Sequence, residues 1–306
     1  MERPYILHMV TPGRQLSPFD VNMAADAGYQ VIAPYCEVGP DAIAGLVQDT
    51  IFSRSPKGLL RTGIFIGGRD ALVAADLLER AKSAMFKPFL VSLMADPSGA
   101  YTTAAAMVAC VEAALRPGHS QGLKGLRVLV VGGSGPVGRV AGVIAAQAGA
   151  EVYLGSRGDA AAADKVARET GQRFAVGLHG TSLADAQALQ AAIAQADVLL
   201  GCAAAGVQAV PAQALTSAAR LKVAADLNAV PPEGIAGVGA TDDAKPLAGT
   251  GAVGIGALAV GNVKYQTQQR LLQQMHEAPS AVVLSFPDAF ATARAFLAEK
   301  AGKPAA

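Results

Sequence analysis

The segment from residue 125 to 150 most restricts the folds open to this chain, because it passes from a buried strand through glycines into a helix. Residues 128–131 are consecutive aliphatic residues, as expected of a parallel strand covered on both faces. Gly133, Gly135 and Gly138 follow in the spacing GxGxxG. In this context the first glycine permits a tight turn, the second a close approach of a pyrophosphate, and the third close helix packing. The pattern predicts a Rossmann-type α/β fold that binds a dinucleotide.

The predicted dinucleotide contacts lie in the glycine turn, at the end of the next strand and after two later strands. The helix that follows the glycines would present free N–H groups and a partial positive charge to the pyrophosphate. The alternative is a glycine turn with a purely structural role. The residues predicted to contact the cofactor are Gly133, Ser134, Gly135, Pro136, Val137, Gly138, Ser156, Arg157, Ala203, Ala204 and Asn228.

The end of the second strand of this unit bears on the choice of cofactor. The predicted strand at residues 151–154 leads into Ser156 and Arg157, about 20 residues after the glycines, where NAD enzymes usually carry an acidic residue. A carboxylate would repel a 2′-phosphate, whereas these two side chains can donate hydrogen bonds to one. The sequence therefore favours NADP, with NAD possible. In the alternative interpretation Arg157 is a solvated loop residue and the site accepts both cofactors.

Strands and helices alternate along the whole chain, which predicts a doubly wound parallel sheet preceded by a smaller α/β domain. After the second strand we expect a helix at 160–170, a strand at 174–177, a helix at 183–194, and strands at 197–202 and 222–227.

The first 120 residues carry a second alternating pattern. Short strands near 5–9, 31–34 and 63–67 alternate with helices near 22–27 and 71–85, and a long apolar helix is expected at 104–115. A length of 306 residues favours two domains. We predict a substrate domain at 1–121, a dinucleotide-binding domain at 122–261, C-terminal helices at 262–306 that return to the first domain, and a cleft between the domains.

Composition excludes several classes of partner. The net charge is +1, from 25 basic and 24 acidic residues without long runs of one sign, so no nucleic-acid or acidic-membrane partner is expected. The positive mean hydropathy of +0.34 reflects the abundance of small residues such as alanine, and the apolar stretches are too short to predict a transmembrane helix. No secretory signal is apparent, so a cytoplasmic location is expected. Three widely spaced cysteines predict neither disulfides nor a metal site.

Polar residues of the first domain collect at three places, residues 17–22, 53–55 and 96–103. Some of them have plain structural interpretations. Thr102 and Thr103 could cap the helix that follows them, and Asp96 could belong to an ordinary loop.

These segments, together with the glycine turn, resemble a known family. The chain is similar to the NAD(P)-dependent methylene-tetrahydromethanopterin dehydrogenases of methylotrophic bacteria over nearly its whole length. The sequence GSRG at the end of the second strand is more like the NADP-using relatives. The segments that carry the resemblance are ILHMVTP, SPFDVNMA, QDTIFSR, RTGIFIGG, ADPSGAYTTAAAMV, VGGSGPVG, LNAVPPEGIAG and GIGALAVGNVKYQTQ.

The resemblance implies oxidation of methylene-tetrahydromethanopterin to the methenyl form, with hydride transfer to NADP or NAD, as a step in formaldehyde oxidation. Hydride loss from a carbon between two nitrogens leaves a delocalised cation, so no protein base is required. The four scattered histidines are therefore expected to be structural or solvated. The residues of the polar segments implied to contact the pterin are Phe19, Asn22, Asp96, Ser98, Thr102 and Thr103.

Asp20 and Lys264 are the candidate catalytic-site residues. The Asp20 carboxylate could accept two hydrogen bonds from the amino-pyrimidine edge of the pterin, but it could instead be the N-cap of the following helix. Lys264 matches a family position associated with the active site, near the expected start of a late helix. An ammonium beside a developing cation would oppose the reaction, so Lys264 is expected to bind a pterin carbonyl or orient the cofactor; alternatively, it is a surface lysine.

The resemblance also implies a homo-oligomer, a trimer or a hexamer. Two other functions stay open: a methylene-tetrahydrofolate dehydrogenase, whose substrate shares the pterin head but differs in its side arm, and a nonenzymatic NADP-binding redox sensor. Turnover of a pterin substrate would exclude the sensor. A folate cyclohydrolase would show a YxxxK motif, and a shikimate-type dehydrogenase would need an N-terminal Lys and Asp pair; the sequence supports neither.

Overall fold

The computed structural model describes residues 3–302, and the chain divides into two compact units. Unit 1 comprises the chain up to Thr102 together with Tyr265–Thr292, and unit 2 comprises Thr103–Lys264 and the chain from Ala293 onward.

Strands and helices alternate through the described residues. The strands are β1 (Ile6–Val10), β2 (Val31–Tyr35), β3 (Thr62–Ile66), β4 (Ser92–Ala95), β5 (Arg127–Val131), β6 (Glu151–Ser156), β7 (His179–Ser182), β8 (Val198–Gly201), β9 (Val223–Asp226), β10 (Lys245–Pro246), β11 (Val253–Ile255) and β12 (Val283–Leu284). The α-helices are α1 (Pro18–Asp26), α2 (Ile43–Phe52), α3 (Pro56–Leu59), α4 (Ala71–Ser83), α5 (Ala100–Leu115), α6 (Pro136–Gln147), α7 (Ala160–Phe174), α8 (Ala186–Ala194), α9 (Ala212–Leu215), α10 (Ala257–Glu277) and α11 (Phe286–Lys300).

Unit 1 is built on a five-stranded sheet in the order β12-β4-β3-β1-β2, in which all neighbouring strands are parallel. Every residue of β3 is buried, as expected of a strand covered on both faces. The terminal methyl group of Met275 in α10 lies where a Cβ atom at Gly63 in β3 would stand, so this side chain packs against the bare backbone of the glycine. The order of the strands reverses between β1 and β3.

Unit 2 carries a seven-stranded sheet in the order β10-β11-β9-β8-β5-β6-β7, parallel except for the pair β10 and β11. The first strand of the unit, β5, lies centrally, with β6 and β7 on one side and β8, β9 and β11 on the other. This is the strand order of the doubly wound dinucleotide-binding fold, and it confirms the predicted fold class. One hydrophobic core of the unit includes Leu129, Ile193, Leu199, Val210, Ala224 and Ile235.

Two element boundaries of unit 2 were predicted wrongly. The strand expected at 174–177 lies instead at His179–Ser182, because α7 continues to Phe174 and ends at Ala175 in the left-handed conformation (φ 54°). The helix expected from residue 183 begins at Ala186. Asp185 caps it by accepting a 2.8 Å hydrogen bond from the Ala188 N–H group.

The units also differ in extent from the predicted domains. The first segment of unit 1 ends at Thr102 rather than at residue 121. The last helix, α11, belongs to unit 2 from Ala293 onward. A partly buried ion pair joins α5 to α11 within unit 2, because Glu112 of α5 accepts hydrogen bonds of 2.6 and 2.7 Å from the Arg294 guanidinium of α11.

One helical stretch among the described residues, Pro97–Leu115, is long and apolar enough to cross a membrane by length and composition alone. However, 78% of its most apolar part is buried inside the protein, as in a core helix.

Candidate functional site

In doubly wound sheets, ligands bind beyond the carboxyl ends of the strands, where the strand order reverses. Unit 2 reverses between β5 and β8, and unit 1 reverses between β1 and β3. A cavity lies at each of these positions. We refer to them as the glycine-loop cavity, in unit 2, and the β1–β3 cavity, in unit 1.

The glycine-loop cavity has a volume of 390 Å³ and lies beyond the ends of β5, β6 and β8. Among the described residues that line it, Arg157 is the one with a formal charge. The cavity brings together six of the predicted cofactor residues: Ser134, Gly135, Ser156, Arg157, Ala203 and Ala204.

The roles of the individual glycines in the turn differ in part from those predicted. The tight turn belongs to Gly132, which has a φ of +81°, and not to Gly133. Gly133 is required for another reason, since a Cβ atom there would lie 2.9 Å from the Leu154 backbone in β6. A Cβ atom at Gly138 would collide with the Gly132 carbonyl, so close packing of α6 requires this glycine, as expected.

Gly135 is a glycine that the protein's own packing does not demand. Its φ is −73°, and an added Cβ atom would meet its nearest neighbour, the Gly132 oxygen, at an ordinary 3.4 Å. Because Gly135 lines the cavity, its missing side chain leaves room for a ligand against the main chain. This observation fits a dinucleotide pyrophosphate.

The first turn of α6 supplies donors for such a group. Gly135 is the N-cap and Pro136 the first residue of the helix. The N–H groups of Val137 and Gly138 have no carbonyl one turn back to bond, so they and the helix dipole favour an anion. Pro136, Val137 and Gly138 form this first turn of α6 and are not among the residues that line the cavity.

Several residues of this cavity escaped the sequence analysis. Leu183, Leu189 and Val207 give it apolar walls, and Gln208 adds a polar group. In the sequence the two leucines match the apolar face of a helix, and no local signal separates such residues from core positions. Cys202 also lines the cavity, and burial, followed by the nearby Asp226 carboxylate, raises the pKa of its thiol to about 12.

Asn228 lies apart from this cavity. Its side-chain oxygen accepts hydrogen bonds from the N–H groups of Gly206 (3.1 Å) and Val230 (3.0 Å), and its amide nitrogen donates to the Pro232 carbonyl (2.7 Å). These hydrogen bonds occupy the Asn228 amide and stabilise the loop after β9. Asn228 lines a separate cavity of 390 Å³ that shares Gln208 with the glycine-loop cavity.

The β1–β3 cavity has a volume of 710 Å³. The loop after β1 and the loop after β3 form most of its wall, and Asp20 and Ser98 of the predicted substrate residues line it. Phe19 is 44% exposed and Asn22 is also exposed, but neither lines the cavity.

Asp20 does not cap α1, so that interpretation was wrong. The N-cap is Ser17, and Asp20 lies in the first turn with only 2% of its surface exposed. Its carboxylate accepts a 2.8 Å hydrogen bond from the side-chain amide of Gln268. A buried carboxylate held in this way presents a fixed hydrogen-bond acceptor at the cavity wall.

Asp96 and Thr102 interact with each other, and Asp96 performs the capping expected of the threonines. Its carboxylate accepts hydrogen bonds from the N–H groups of Tyr101 (2.9 Å) and Thr102 (3.1 Å) and from the Thr102 hydroxyl (2.6 Å). Because α5 begins at Ala100, Thr102 and Thr103 lie inside the helix and not at its cap. Thr103 is half-buried and belongs to unit 2.

Ser98 has an uncommon backbone conformation for a residue with a side chain, with a φ of 50°. Its hydroxyl donates a 2.7 Å hydrogen bond to the Gly68 carbonyl, which joins the loops after β4 and β3 at the cavity wall. Strained residues of this kind concentrate at functional sites.

Other polar residues of the β1–β3 cavity were not predicted from the sequence, among them Arg14, Gln15 and Arg69. They follow strands that end in the turn sequences TPG and GG, and that position is the only signal that could have identified them.

Lys264 lies further into its helix than expected, because α10 begins at Ala257. It is half-buried and is the last residue of its segment of unit 2.

Comparisons with known proteins agree with this architecture. Residues 18–98 match the model of the family described as methylene-tetrahydromethanopterin dehydrogenase, N-terminal. The NAD(P)-dependent methylenetetrahydromethanopterin dehydrogenase of Methylorubrum extorquens is 47% identical over 93% of this chain and 96% of its own length. The bifunctional protein MdtA of the same organism is 35% identical over 87% of this chain and 90% of its own.

A solved structure supports the fold alone. Quinate dehydrogenase from Corynebacterium glutamicum, in complex with NAD, superposes with a TM-score of 0.50 at 14% identity, covering 97% of this chain and 100% of that protein.

Proposed function

The chain belongs to the methylene-tetrahydromethanopterin dehydrogenase family, and on this premise we propose that it oxidises methylene-tetrahydromethanopterin to the methenyl form with NADP or NAD as hydride acceptor. The observation that carries the proposal is the 47% identity over 93% of the chain to a relative with this named activity. The two switch-point cavities support it, since each unit offers one site of the kind that binds a small ligand in such folds.

The dinucleotide is assigned to the glycine-loop cavity. Gly135 and the N-terminus of α6 would hold the pyrophosphate, and Ser156 and Arg157 would hold the adenosine end. With Arg157 as the charged lining residue among those described, a 2′-phosphate would meet attraction without repulsion. NADP is therefore the proposed preferred cofactor.

The pterin is assigned to the β1–β3 cavity. Asp20 would accept hydrogen bonds from the amino-pyrimidine edge while Gln268 keeps the carboxylate in place. Ser98, Gln15 and the guanidinium groups of Arg14 and Arg69 provide further hydrogen-bond donors along the wall for the rest of the carrier. The other predicted contacts, Phe19, Asn22, Asp96, Thr102 and Thr103, belong to the same proposal.

The protein's chemical task is orientation rather than proton transfer. A nicotinamide dinucleotide held by Gly135 and the N-terminus of α6 would supply the hydride acceptor. Because the cation left behind is delocalised over two nitrogens, the chain needs no general base, and it contributes by fixing the substrate and excluding water. Lys264 would bind a pterin carbonyl or orient the cofactor at a distance from the reacting carbon, since its charge opposes a cation. A cytoplasmic location and a homo-oligomer, trimer or hexamer, complete the proposal and rest on the sequence expectations alone.

Product identification tests the proposed function. Incubation of the purified protein with methylene-tetrahydromethanopterin and NADP should give methenyl product and reduced nicotinamide in equal amounts. The variant Gly135→Asp should abolish both, because its carboxylate would occupy the place of the pyrophosphate while the protein's own atoms leave space for it. Gly177→Asp is the matched control, since Gly177 is exposed and nothing lies within 4 Å of an added Cβ atom. Binding of NADP without any pterin oxidation would refute the proposal and favour the redox sensor.

A further inference from the structure

Arg139, the fourth residue of α6, connects the glycine turn to the neighbouring helix without lining the cavity. Its side chain is only 15% exposed. Its Nε atom donates a 3.1 Å hydrogen bond to the carbonyl oxygen of Ser134, which is a residue of the cavity wall. A largely shielded guanidinium with this contact can fix the conformation of the glycine turn from the side away from the cavity.

The other end of the guanidinium is anchored on α7. Its Nη1 atom donates a 2.6 Å hydrogen bond to the Thr170 hydroxyl and a 3.4 Å bond to the Val166 carbonyl. The Glu169 carboxylate lies 3.8 Å from Nη2. Thr170 is fully buried and itself donates to Val166, so the anchor is rigid.

The hydrogen bond from Arg139 helps to fix the peptide group between Ser134 and Gly135. Its carbonyl accepts the bond from Arg139, and its N–H group donates a 3.1 Å bond to the Gly132 carbonyl. Both ends of the peptide are therefore fixed. A carbonyl that was free to rotate could present its partial negative charge to a bound pyrophosphate and weaken binding.

We propose that Arg139 is a positioning residue for the dinucleotide: it holds the Ser134–Gly135 peptide in the orientation that accepts the pyrophosphate. The inference rests on the proposed function for the identity of the ligand, and it concerns an anion shared by NADP and NAD. Arg139 should therefore affect both cofactors equally, whereas a contact to the 2′-phosphate would affect NADP alone.

The test compares Arg139→Met, Arg139→Lys and Thr170→Val with wild type and with Arg168→Met, which removes an exposed guanidinium from α7. Calorimetric titration gives Kd for NADP and NAD, and initial rates give KM and kcat. For Arg139→Met we expect Kd and KM to rise by about tenfold or more for both cofactors, because a hydrogen bond to a charged group is lost, with kcat and the pterin KM nearly unchanged. Arg139→Lys should recover part of the loss, Thr170→Val should show a smaller rise, and Arg168→Met should show none.

Unchanged Kd values in Arg139→Met would overturn the inference, as would a loss confined to NADP or a parallel fall in cofactor affinity, kcat and thermal stability. If Arg139→Met does not fold, Arg139→Lys and Thr170→Val decide the question by the same criteria. Wild-type protein that binds NADP but oxidises no pterin would refute the proposed function, and the calorimetric comparison would still test Arg139.

Discussion

The side-chain amide of Gln268 donates a 2.8 Å hydrogen bond to the carboxylate of Asp20, across 248 residues of sequence. Both side chains are buried, with 2% of Asp20 and none of Gln268 exposed. The bond fixes the first turn of α1 to α10 within unit 1 and holds a carboxylate at the wall of the β1–β3 cavity. Asp20 therefore has two roles that separate experiments can test: a structural role through its bond to Gln268, and a proposed role in pterin recognition.

Asp20→Asn tests the recognition role. Asparagine keeps an oxygen that can accept the bond from Gln268, but it loses the charge that favours the amino-pyrimidine edge. We expect the pterin KM to rise by about tenfold, with the KM for NADP unchanged, as measured by initial rates. Asp26→Asn, an exposed position at the end of the same helix, should have no effect. An unaltered pterin KM in Asp20→Asn would leave Asp20 with a structural role only.

Gln268→Leu tests the structural role. The substitution leaves a buried carboxylate one donor short, so the free energy of unfolding should fall by about 1–3 kcal/mol in urea titrations. The double variant Asp20→Asn with Gln268→Leu should lose less than the sum of the two single variants, because the residues contact each other. Strict additivity would mean that the bond contributes little in solution.

Arg157→Gln tests cofactor preference. Removal of the guanidinium should raise the KM for NADP by about tenfold and leave the KM for NAD nearly unchanged, because only NADP carries a 2′-phosphate. Initial rates with each cofactor at saturating pterin provide the measurement. A wild-type enzyme with a clearly lower KM for NAD, or equal losses with both cofactors in the variant, would contradict the assignment.

Lys264→Ala should lower kcat/KM by about tenfold or more, while Lys264→Arg should retain part of the activity through its positive charge. Lys57→Ala, at an exposed position of α3, serves as the control. Full kcat/KM in Lys264→Ala would show that this lysine has no part in the reaction.

The cysteines should differ sharply in reactivity. Burial is the main cause that raises the pKa of Cys110 and of Cys202 to about 12, so both thiols stay protonated near neutrality, even though Cys202 is only partly shielded at the cavity wall. Cys36 is exposed. Iodoacetamide followed by mass spectrometry should label Cys36 in the native protein and all three cysteines only after denaturation. Labelling of Cys202 as fast as Cys36 would contradict the described environment.

The fold of unit 2 could be predicted from the sequence because its main determinants are local. A strand, spaced glycines and a helix define the β5-α6 unit, and Gly138 plays the packing role expected of it. The two adjacent glycines Gly132 and Gly133 show the limit of prediction from the local sequence. Gly132 has the positive φ and an added Cβ atom there would meet the Cys202 backbone after β8, whereas one at Gly133 would meet Leu154 of β6. Both constraints come from neighbouring strands, and no pattern within the turn contains that information.

The candidate site was only partly predictable, for the same reason. Ser156 and Arg157 were found because a position relative to the glycines identifies them. Asn228 follows a strand in the expected way, yet its amide is used by its own loop. The bond between Asp20 and Gln268 and the anchor of Arg139 on Thr170 join residues far apart in the chain, so periodicity and spacing could not reveal them.

The most direct test is a comparison of initial rates with methylene-tetrahydromethanopterin and methylene-tetrahydrofolate, each with NADP and with NAD. We predict the highest kcat/KM for the methanopterin carrier with NADP, and a lower value with NAD. Comparable or faster turnover of the folate carrier would contradict the assigned substrate, and the absence of turnover with either carrier, despite NADP binding, would contradict the assignment as a dehydrogenase.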